Sequence, residues 1–259
     1  MNRFSLILVG FIFFLSSCSS PPPEKKEEVL RPAITFQVAS LNIGGVNRRI
    51  EKKDISALAR ILKREQIEIL AVQGITRYPG LETRVDFVSE LSSQAEMRNA
   101  FGEMMNNSGR QTGNAVFSSY PIRSNVNRSF DGVKSATFEA ALQTVIDGGV
   151  RDIAVVSAQL PQKAGADDQS QCVRAIAAFN TPDRNYPTVV AGNLPMAEAV
   201  RTTGAFDDTR SLIASDKSIP SRIWYDGRNL LKPLSARVVE TEFGPMVVAQ
   251  FGIYNHPLP

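Results

Sequence analysis

The sequence has little of what marks a disulfide-rich, multi-spanning or nucleic-acid-binding protein. Its 259 residues include 2 cysteines and 1 histidine. After the N-terminal apolar run, no hydrophobic stretch approaches the roughly 20 residues that a membrane-spanning helix needs. The formal net charge is only +3, from 29 basic and 26 acidic residues, and Arg48-Arg49 and Lys52-Lys53 are the basic pairs that stand out. Because nucleic-acid-binding proteins usually concentrate positive charge on one face, this balance gives no support for a nucleic-acid partner.

Residues 1–17 have the order of a secretion signal. Arg3 supplies positive charge, residues 4–15 (FSLILVGFIFFL) are apolar apart from Ser5 and Gly10, and two serines follow. The apolar run is too short to span a bilayer, and its length fits the apolar middle of a signal peptide. We therefore predict that residues 1–17 are a signal peptide.

Cys18 follows Leu15-Ser16-Ser17, and this tetrapeptide resembles the lipobox of bacterial lipoproteins, in which the cysteine thiol receives a diacylglycerol and becomes the new N-terminus. The resemblance implies a lipid anchor that attaches the protein to a membrane of the bacterial cell envelope. Ser19 is not the aspartate that such proteins use for retention at the inner membrane, so the outer membrane is favoured where two membranes exist. The alternatives are an ordinary signal peptide with an unrelated cysteine and a short membrane anchor.

Residues 18–32 are predicted to form a tether, because they are polar, carry mixed charge and include three consecutive prolines. Residues 33–259 have a length that suits one α/β domain. With Cys18 committed to lipid, Cys172 has no partner, and the domain has no internal disulfide. The helical pattern around Cys172 predicts a small buried hydrophobe rather than a reactive thiol.

Hydrophobic periodicity predicts many strands with a few helices between them. The predicted strands are residues 34–41, 67–72, 115–117, 136–146, 153–158, 188–191, 222–225, 236–243 and 246–253. Helices are predicted at residues 84–94, 168–179 and 196–203, and after Asp54, which has the position of an N-cap. This order suggests two sheets packed face to face with helices outside.

Several segments together resemble the endonuclease/exonuclease/phosphatase superfamily. They are residues 38–43 (VASLNI), 67–73 (IEILAVQ), 113–122 (GNAVFSSYPI), 190–193 (VAGN), 221–223 (SRI) and 255–257 (NHP). The third segment is the closest match, to the family's Gly-x-Ala-x-Leu-Ser-x-x-Pro-Ile turn. Each match is short, and the resemblance depends on their shared order and spacing along nearly the whole domain.

This resemblance implies an α/β fold of a specific kind, a four-layer α/β/β/α sandwich with its active cleft at one end of the two sheets. Enzymes of the superfamily cleave phosphate esters with a divalent metal, usually Mg²⁺. A glutamate at the end of the second strand binds the metal, and the aspartate of a Gly-Asp-x-Asn motif orients or deprotonates the attacking water. Two histidines and a last aspartate support the phosphoryl group.

Most of these functional groups are missing from the sequence. In chain order, the family positions are occupied by Asn42, Gly74, Gln159, Asn193, Pro195, Trp224, Asn255 and His256. Only Asn42 and His256 keep the family's residue type. Gly74 stands where the metal-binding glutamate is expected, and Asn193 stands where the water-activating aspartate is expected. Gln159 replaces a histidine, Pro195 replaces an asparagine, and Trp224 and Asn255 replace aspartates.

The substitutions predict a pseudoenzyme. Mg²⁺ is usually held through one or two carboxylates, and amides bind it weakly. An amide cannot accept a proton at neutral pH, so Asn193 cannot act as a general base. We therefore expect no cofactor and a binding or structural role in the cell envelope, with an unknown protein or small molecule as partner. The alternative is a divergent phosphodiesterase that uses Mg²⁺ and acts on lipid head groups or extracellular nucleic acid.

Individual positions leave alternatives open. Asn42 is a structural turn former or a catalytic remnant, and Trp224 either packs in the core or lines and blocks the cleft. His256 lies three residues from the C-terminus without a carboxylate beside it. Asp226 lies two residues after Trp224, so we expect it on the same strand face, roughly 7 Å further along, where it would lend a carboxylate to a rearranged metal site. Asp207-Asp208 would help there or be structural.

Overall fold

The structure is a computed structural model that describes residues 31–44, 46, 49–79, 84–130, 132–133, 139–161, 165–179, 186–194, 205–213, 219, 221–227 and 230–255. The predicted signal peptide, Cys18 and most of the tether lie outside these residues. So do Pro195, His256 and the helix predicted at residues 196–203.

The described part of the chain contains twelve strands and three α-helices. The strands are β1 (Ile34–Asn42), β2 (Ile69–Arg77), β3 (Arg98–Asn107), β4 (Arg110–Ser118), β5 (Ile122–Ser129), β6 (Ala140–Asp147), β7 (Asp152–Gln159), β8 (Thr188–Asn193), β9 (Asp207–Asp208), β10 (Ser221–Tyr225), β11 (Leu231–Thr241) and β12 (Gly244–Ile253). The helices are α1 (Lys52–Arg64), α2 (Phe87–Ala95) and α3 (Ala166–Ala177). A 3₁₀ helix spans Thr209–Leu212.

The strands form two six-stranded mixed sheets. Sheet 1 has the order β11-β12-β1-β2-β4-β3, and sheet 2 has the order β5-β6-β7-β8-β10-β9. Two parallel pairs, β1 with β2 and β7 with β8, lie at corresponding places in the two sheets. Strands β7 and β8 end side by side at Gln159 and Asn193, whereas β1 ends at Asn42 beside Gln73 and β2 continues to Arg77.

Three layers of buried side chains separate these elements. One core joins the outer face of sheet 1 to α1 and α2 and includes Leu58 and Leu91. A second core lies between the sheets and includes Val38 and Val155. A third core joins the outer face of sheet 2 to α3 and includes Val173. Helix, sheet, sheet and helix thus stack in the order that the sequence predicted, and the expected α/β sandwich is confirmed.

Helix α1 begins earlier than the sequence pattern suggested. Its N-cap is Glu51, and Asp54 occupies the third helical position, where its carboxylate accepts a hydrogen bond of 2.9 Å from the Glu51 amide. This reciprocal arrangement is a capping box. The prediction of Asp54 as the N-cap was therefore wrong by one turn, because its side chain caps the helix from inside.

The chain enters the domain at one end of sheet 1. The Ala33 amide donates to the Ile253 carbonyl at 2.7 Å, and Ile34 pairs with Ile253 in the antiparallel ladder of β1 and β12. The other end of β1, at Asn42, is eight residues or about 26 Å away. Among the residues that the structure describes, no helix has the length and apolar character needed to cross a membrane.

Candidate functional site

The core between the sheets becomes polar at one end. In β1, β2, β4, β7 and β8, side chains of the inter-sheet core alternate along each strand, and the alternation continues onto amide residues. These amides end β1, β7 and β8 and lie in the middle of β2 and β4. We call this set the amide layer: Asn42, Gln73, Asn114, Gln159 and Asn193. Pairing in the sheets places Asn42 beside Gln73 and Gln159 beside Asn193.

Gln73 joins the two sheets inside this layer. Its side-chain Nε2 donates to Ser157 Oγ of β7 at 3.1 Å and to the Ala191 carbonyl of β8 at 3.4 Å. Ser157 Oγ in turn donates to the Val72 carbonyl of β2 at 3.2 Å. Because Gln73 and Ser157 are fully buried, these bonds form away from water and connect β2 of sheet 1 to β7 of sheet 2.

Asn114 makes a second connection between the sheets. Its Nδ2 donates to the Ala140 carbonyl at the start of β6, at 2.9 Å, and its side chain is fully buried. Ala115 pairs with Val72, so Asn114 lies close to the bulge that interrupts β2 between Val72 and Ile75. The sequence pattern included Asn114 in a family motif without assigning it to the site.

Gly74 lies in that bulge and has no room for a side chain. Its φ of +71° is in the left-handed region, and a Cβ at this position would lie 2.7 Å from the Gly44 amide nitrogen and closer still to the Gly44 Cα. The same Cβ would lie 3.6 Å from Gln159 Oε1. The backbone of Gly44 thus occupies the space into which a side chain at position 74 would extend.

Asn42 acts as a local turn former. Its Oδ1 accepts a hydrogen bond of 2.9 Å from the Gly44 amide, two residues later. This bond positions Gly44 against Gly74. Asn42 therefore has a turn-forming contact, and its interpretation as a catalytic remnant stays a prediction.

Several polar atoms of the layer have no hydrogen-bond partner among the residues that the structure describes. They are Gln73 Oε1, Asn114 Oδ1, Gln159 Oε1 and Asn193 Nδ2, together with Ser221 Oγ, which lies beside Asn193 in the β8–β10 ladder. Leaving a buried polar group unpaired costs about 1–3 kcal/mol. Hydrogen bonds among the described residues therefore do not satisfy all the polar atoms of the amide layer.

The donor set of the amide layer does not fit a divalent cation. The Asn42 oxygen already accepts the Gly44 amide, and position 74 offers no side chain. The remaining groups are neutral amides, whereas Mg²⁺ is usually bound through carboxylates. Throughout the described residues, no three His, Cys, Asp or Glu side chains form a group that could hold a metal ion.

The structure separates Asn255 from the amide layer, and the placement of Asn255 in the site was wrong. Asn255 follows Ile253, which pairs with Ile34 at the beginning of β1. The preceding Tyr254 donates its amide to the Leu230 carbonyl at the same edge. The antiparallel register of β12 thus puts Asn255 near the end of sheet 1 opposite Asn42.

Asp226 also lies far from the amide layer, so the carboxylate rescue that the sequence suggested was wrong. Its amide donates to the Thr188 carbonyl at the start of β8, whereas Asn193 ends that strand. Five residues of strand separate the two by about 16 Å. Asp208 has a structural role, because its carboxylate accepts from the Arg210 amide at 2.9 Å and pairs with Arg222 at 3.0 Å.

Trp224 packs on the outer side of sheet 2 and neither lines nor blocks the inter-sheet end. Ile223 belongs to the inter-sheet core, and the next side chain along the strand points the other way. The Trp224 ring stacks on Phe206 with centroids 6.5 Å apart and is fully buried in the core against α3. The core-packing interpretation of Trp224 is therefore correct.

Cys172 lies in the same outer core and is fully buried. Burial, with smaller contributions from the negative charges of Asp168 and Glu139, raises the pKa of its thiol from 9.0 to about 12. Almost no thiolate forms at neutral pH, and the thiolate is the reactive form. The structure thus agrees with the prediction of a buried, unreactive cysteine.

Solved structures similar to this chain share its fold at low sequence identity. An endonuclease/exonuclease/phosphatase family protein from Leptotrichia buccalis matches with a TM-score of 0.66 and 14% identity, over 83% of this chain and 98% of its own. TDP2 from D. rerio, complexed with single-strand DNA product, gives a TM-score of 0.62 and 13% identity over 84% and 99% of the two chains. The human Nocturnin catalytic domain with bound sulfate gives a TM-score of 0.62 and 16% identity over 86% and 95%.

These identities establish a likeness of fold and not of activity. No family model matches the sequence, and no curated protein matches it. The order of the strands in the two sheets, the helices on their outer faces and the similarity to the solved structures all indicate the same fold. The chain therefore has the endonuclease/exonuclease/phosphatase fold.

Proposed function

We propose that this protein is a lipid-anchored component of the bacterial cell envelope whose domain is inert as a metal-dependent phosphoesterase and serves as a binding module. The observation that carries the proposal is the contact between Gly74 and Gly44. Where the family's metal-binding carboxylate is expected, the chain has a glycine packed against backbone. A single substitution therefore does not recreate a metal ligand there.

The other side chains of the amide layer are uncharged, and this supports the proposal that the domain is inert as a phosphoesterase. Gln159 and Asn193, at the ends of β7 and β8, present amides where a histidine and an aspartate are expected. General acid–base catalysis contributes about 10²- to 10⁴-fold to a rate, and metal ions add several kcal/mol of charge stabilisation. A site without either group has lost most of what accelerates phosphate-ester hydrolysis.

A binding role is favoured over a purely structural one by the position of Trp224. A structural role would be expected if a bulky side chain filled the cleft, but Trp224 packs against Phe206 on the other face of sheet 2. The unpartnered amides between the sheets also favour binding, since a purely structural end would be better packed with apolar side chains.

The test is a hydrolysis assay with the full chain in detergent. Mg²⁺, Mn²⁺ and Ca²⁺ are each supplied with a generic phosphodiester, nicked DNA and sphingomyelin, and we expect no turnover above a metal-free control. Metal-dependent turnover above that control would overturn the proposal in favour of an active, rearranged phosphodiesterase.

A further inference from the structure

An open cavity lies at the end of sheet 1 where the chain enters the domain. Its volume is about 450 Å³, within the range of roughly 300–1,000 Å³ that small-molecule sites occupy. The cavity lies between the outer face of sheet 1 and the C-terminal ends of α1 and α2, and its lining includes Thr35 and Leu62. Thr35 and Asn42 are seven residues or about 23 Å apart along β1, so this cavity is separate from the amide layer.

The cavity has both apolar and polar lining residues, and the polar ones are accessible. Leu62, Ile67 and Met97 are buried and belong to the core between sheet 1 and its helices. Gln37 and Glu68 also line the cavity and are only partly buried. A small molecule can therefore reach the polar groups from solvent and contact apolar side chains with its carbon atoms, as in other small-molecule sites.

The carboxylate of Glu68 is held in a fixed orientation. The Gln37 amide donates to its Oε2 at 2.8 Å, and the Tyr120 hydroxyl donates to its Oε1. Burial, the hydrogen bond to Glu68 and the negative charge of Glu68 raise the pKa of Tyr120, so this hydroxyl remains a donor. In the part of the chain that the structure describes, no lysine or arginine pairs with Glu68. Because a carboxylate has about four acceptor sites, Glu68 keeps unused acceptor capacity.

The positive charge in the lining is already paired. The charged lining residues are Glu68 and Lys63, and the Lys63 ammonium forms an ion pair with Glu96. Lys63 also lies in the last turn of α1, where the helix carries partial negative charge on its carbonyl groups. The uncompensated charge of the cavity is therefore negative, and it belongs to Glu68.

An ammonium group complements this arrangement better than a metal ion does. Glu68 is the one carboxylate in the lining, and no three His, Cys, Asp or Glu side chains among the described residues form a group that could hold a metal. A primary ammonium carries N–H donors and a positive charge on the same atom. Hydrogen bonds between ionised groups are roughly twice as strong as those between neutral groups.

We propose that this cavity binds a small organic molecule through a primary ammonium group that pairs with Glu68. The carbon atoms of the ligand contact Leu62, Ile67 and Met97. The ammonium belongs either to a soluble amine or to the ethanolamine head group of a phospholipid, and these two sources share the same chemistry at Glu68. The inference does not depend on whether the amide layer is catalytically inert, because the two places lie at opposite ends of β1.

The experiment is isothermal titration calorimetry on the full chain in detergent. It compares ethanolamine with choline, and glycerophosphoethanolamine with glycerophosphocholine. Within each pair the charges are the same, but the choline nitrogen carries methyl groups and has no N–H donor. We expect saturable binding of at least one ethanolamine compound, with a dissociation constant on the order of 1 mM and binding of its choline partner about tenfold weaker or more. Equal affinities within each pair, or no binding of any compound, would overturn the inference.

Variants assign the binding to Glu68. Glu68→Gln keeps an acceptor for the Gln37 amide but removes the charge, and it should weaken binding by about tenfold or more. Glu103→Gln is the matched control, because the Glu103 carboxylate also accepts a hydrogen bond, from Asn106, but does not line the cavity. If Glu68→Gln does not fold, Ser119→Trp places a bulky ring at an exposed lining position and should block binding. Unchanged binding in the folded variant would contradict the site.

Vesicles distinguish the two sources of the ammonium. The full chain is reconstituted in phosphatidylcholine vesicles with or without phosphatidylethanolamine and titrated with the ethanolamine compound that binds. A lower apparent affinity with phosphatidylethanolamine would assign the cavity to the lipid head group, because the head group competes. An unchanged affinity would assign it to a soluble amine, and both results support the ammonium site. Metal-dependent hydrolysis would overturn the proposed function and leave this inference standing.

Discussion

The amide nitrogen of Gly44 lies 2.7 Å from the place where a Cβ of residue 74 would stand, and Gly74 has a φ of +71°. Two independent constraints, backbone conformation and collision, therefore require glycine at position 74. Both constraints act at the position where the sequence resemblance would place a metal-binding glutamate.

Gly74→Glu should destabilise the domain without restoring metal-dependent hydrolysis. Left-handed backbone costs a residue with a Cβ roughly 1–2 kcal/mol, and the collision with Gly44 adds to this. Urea unfolding measures the free energy, and the phosphodiester assay measures activity. Gly109→Ala is the control, because Gly109 has a φ of +85° and nothing within 4 Å of its Cβ position. A Gly74 variant no less stable than the Gly109 variant would contradict the collision.

Ser157→Ala should cost about 1–3 kcal/mol of unfolding free energy, because it leaves Gln73 Nε2 with only the 3.4 Å bond to Ala191. The double variant Gln73→Leu with Ser157→Ala should be less destabilised than the sum of the single variants, since both polar partners are removed together. A double-mutant cycle from urea unfolding measures the coupling, which we expect at about 0.5–3 kcal/mol. Additive single effects would argue against the connection between the sheets.

Trp224→Ala should destabilise the domain by about 3–5 kcal/mol, the usual cost of removing a buried aromatic ring. Trp224→Phe should cost much less, because it keeps an aromatic ring against Phe206 and removes an unpartnered indole N–H. Thermal unfolding compares the two variants. Because Trp224 faces α3, Trp224→Phe should leave the amide signals of Asn193 unchanged, and a large shift there would place the ring in the site.

Cys172 should resist alkylation in the folded protein at pH 8 and react once the protein unfolds. The folded pKa of about 12 lies above the ordinary value of 9.0, so its contribution to stability is complete below pH 9 and is lost as the pH rises towards 12. Peptide mapping after iodoacetamide treatment measures the modification at Cys172. Cys172→Ala should remove this part of the alkaline destabilisation, and rapid labelling of the native thiol would contradict its burial.

Cys18→Ala should release the protein from membranes if Cys18 carries the lipid anchor. Fractionation of cells into soluble and membrane parts measures this. Cys172→Ala serves as the matched control and should remain in the membrane fraction. Persistence of the Cys18 variant in membranes would favour an ordinary membrane anchor.

The parts of the fold set by hydrophobic alternation were predictable from the sequence. The strand around Val38 was found from its alternating pattern, and the strands around Val155 and Val189 from short apolar runs, because their side chains are buried on both faces. Strand β5 was missed because seven of its eight residues are exposed and polar residues dominate it. Edge strands of this kind carry little hydrophobic signal.

The candidate site was predictable in residue type but not in arrangement. Gln159 and Asn193, which the motifs assigned to family site positions, lie side by side because the parallel strands β7 and β8 end together. Asn255 was misplaced because a short polar motif does not reveal strand direction, and β12 runs antiparallel to β1. The contact of Gly44 with Gly74 had no signal in the sequence beyond two glycines 30 residues apart.

The position of β1 has a mechanical consequence. This strand is hydrogen-bonded on both sides, to β12 and to β2. The preceding residues join the domain at the first residue pair of the β1–β12 ladder, Ile34 with Ile253. Hydrogen bonds in a sheet run across the strands. A force applied to the chain before residue 34 would act along β1. It would therefore load the hydrogen bonds to β12 and to β2 in shear and simultaneously. A domain tethered through this strand would resist being drawn apart by force far better than one attached through an edge strand, which peels off bond by bond.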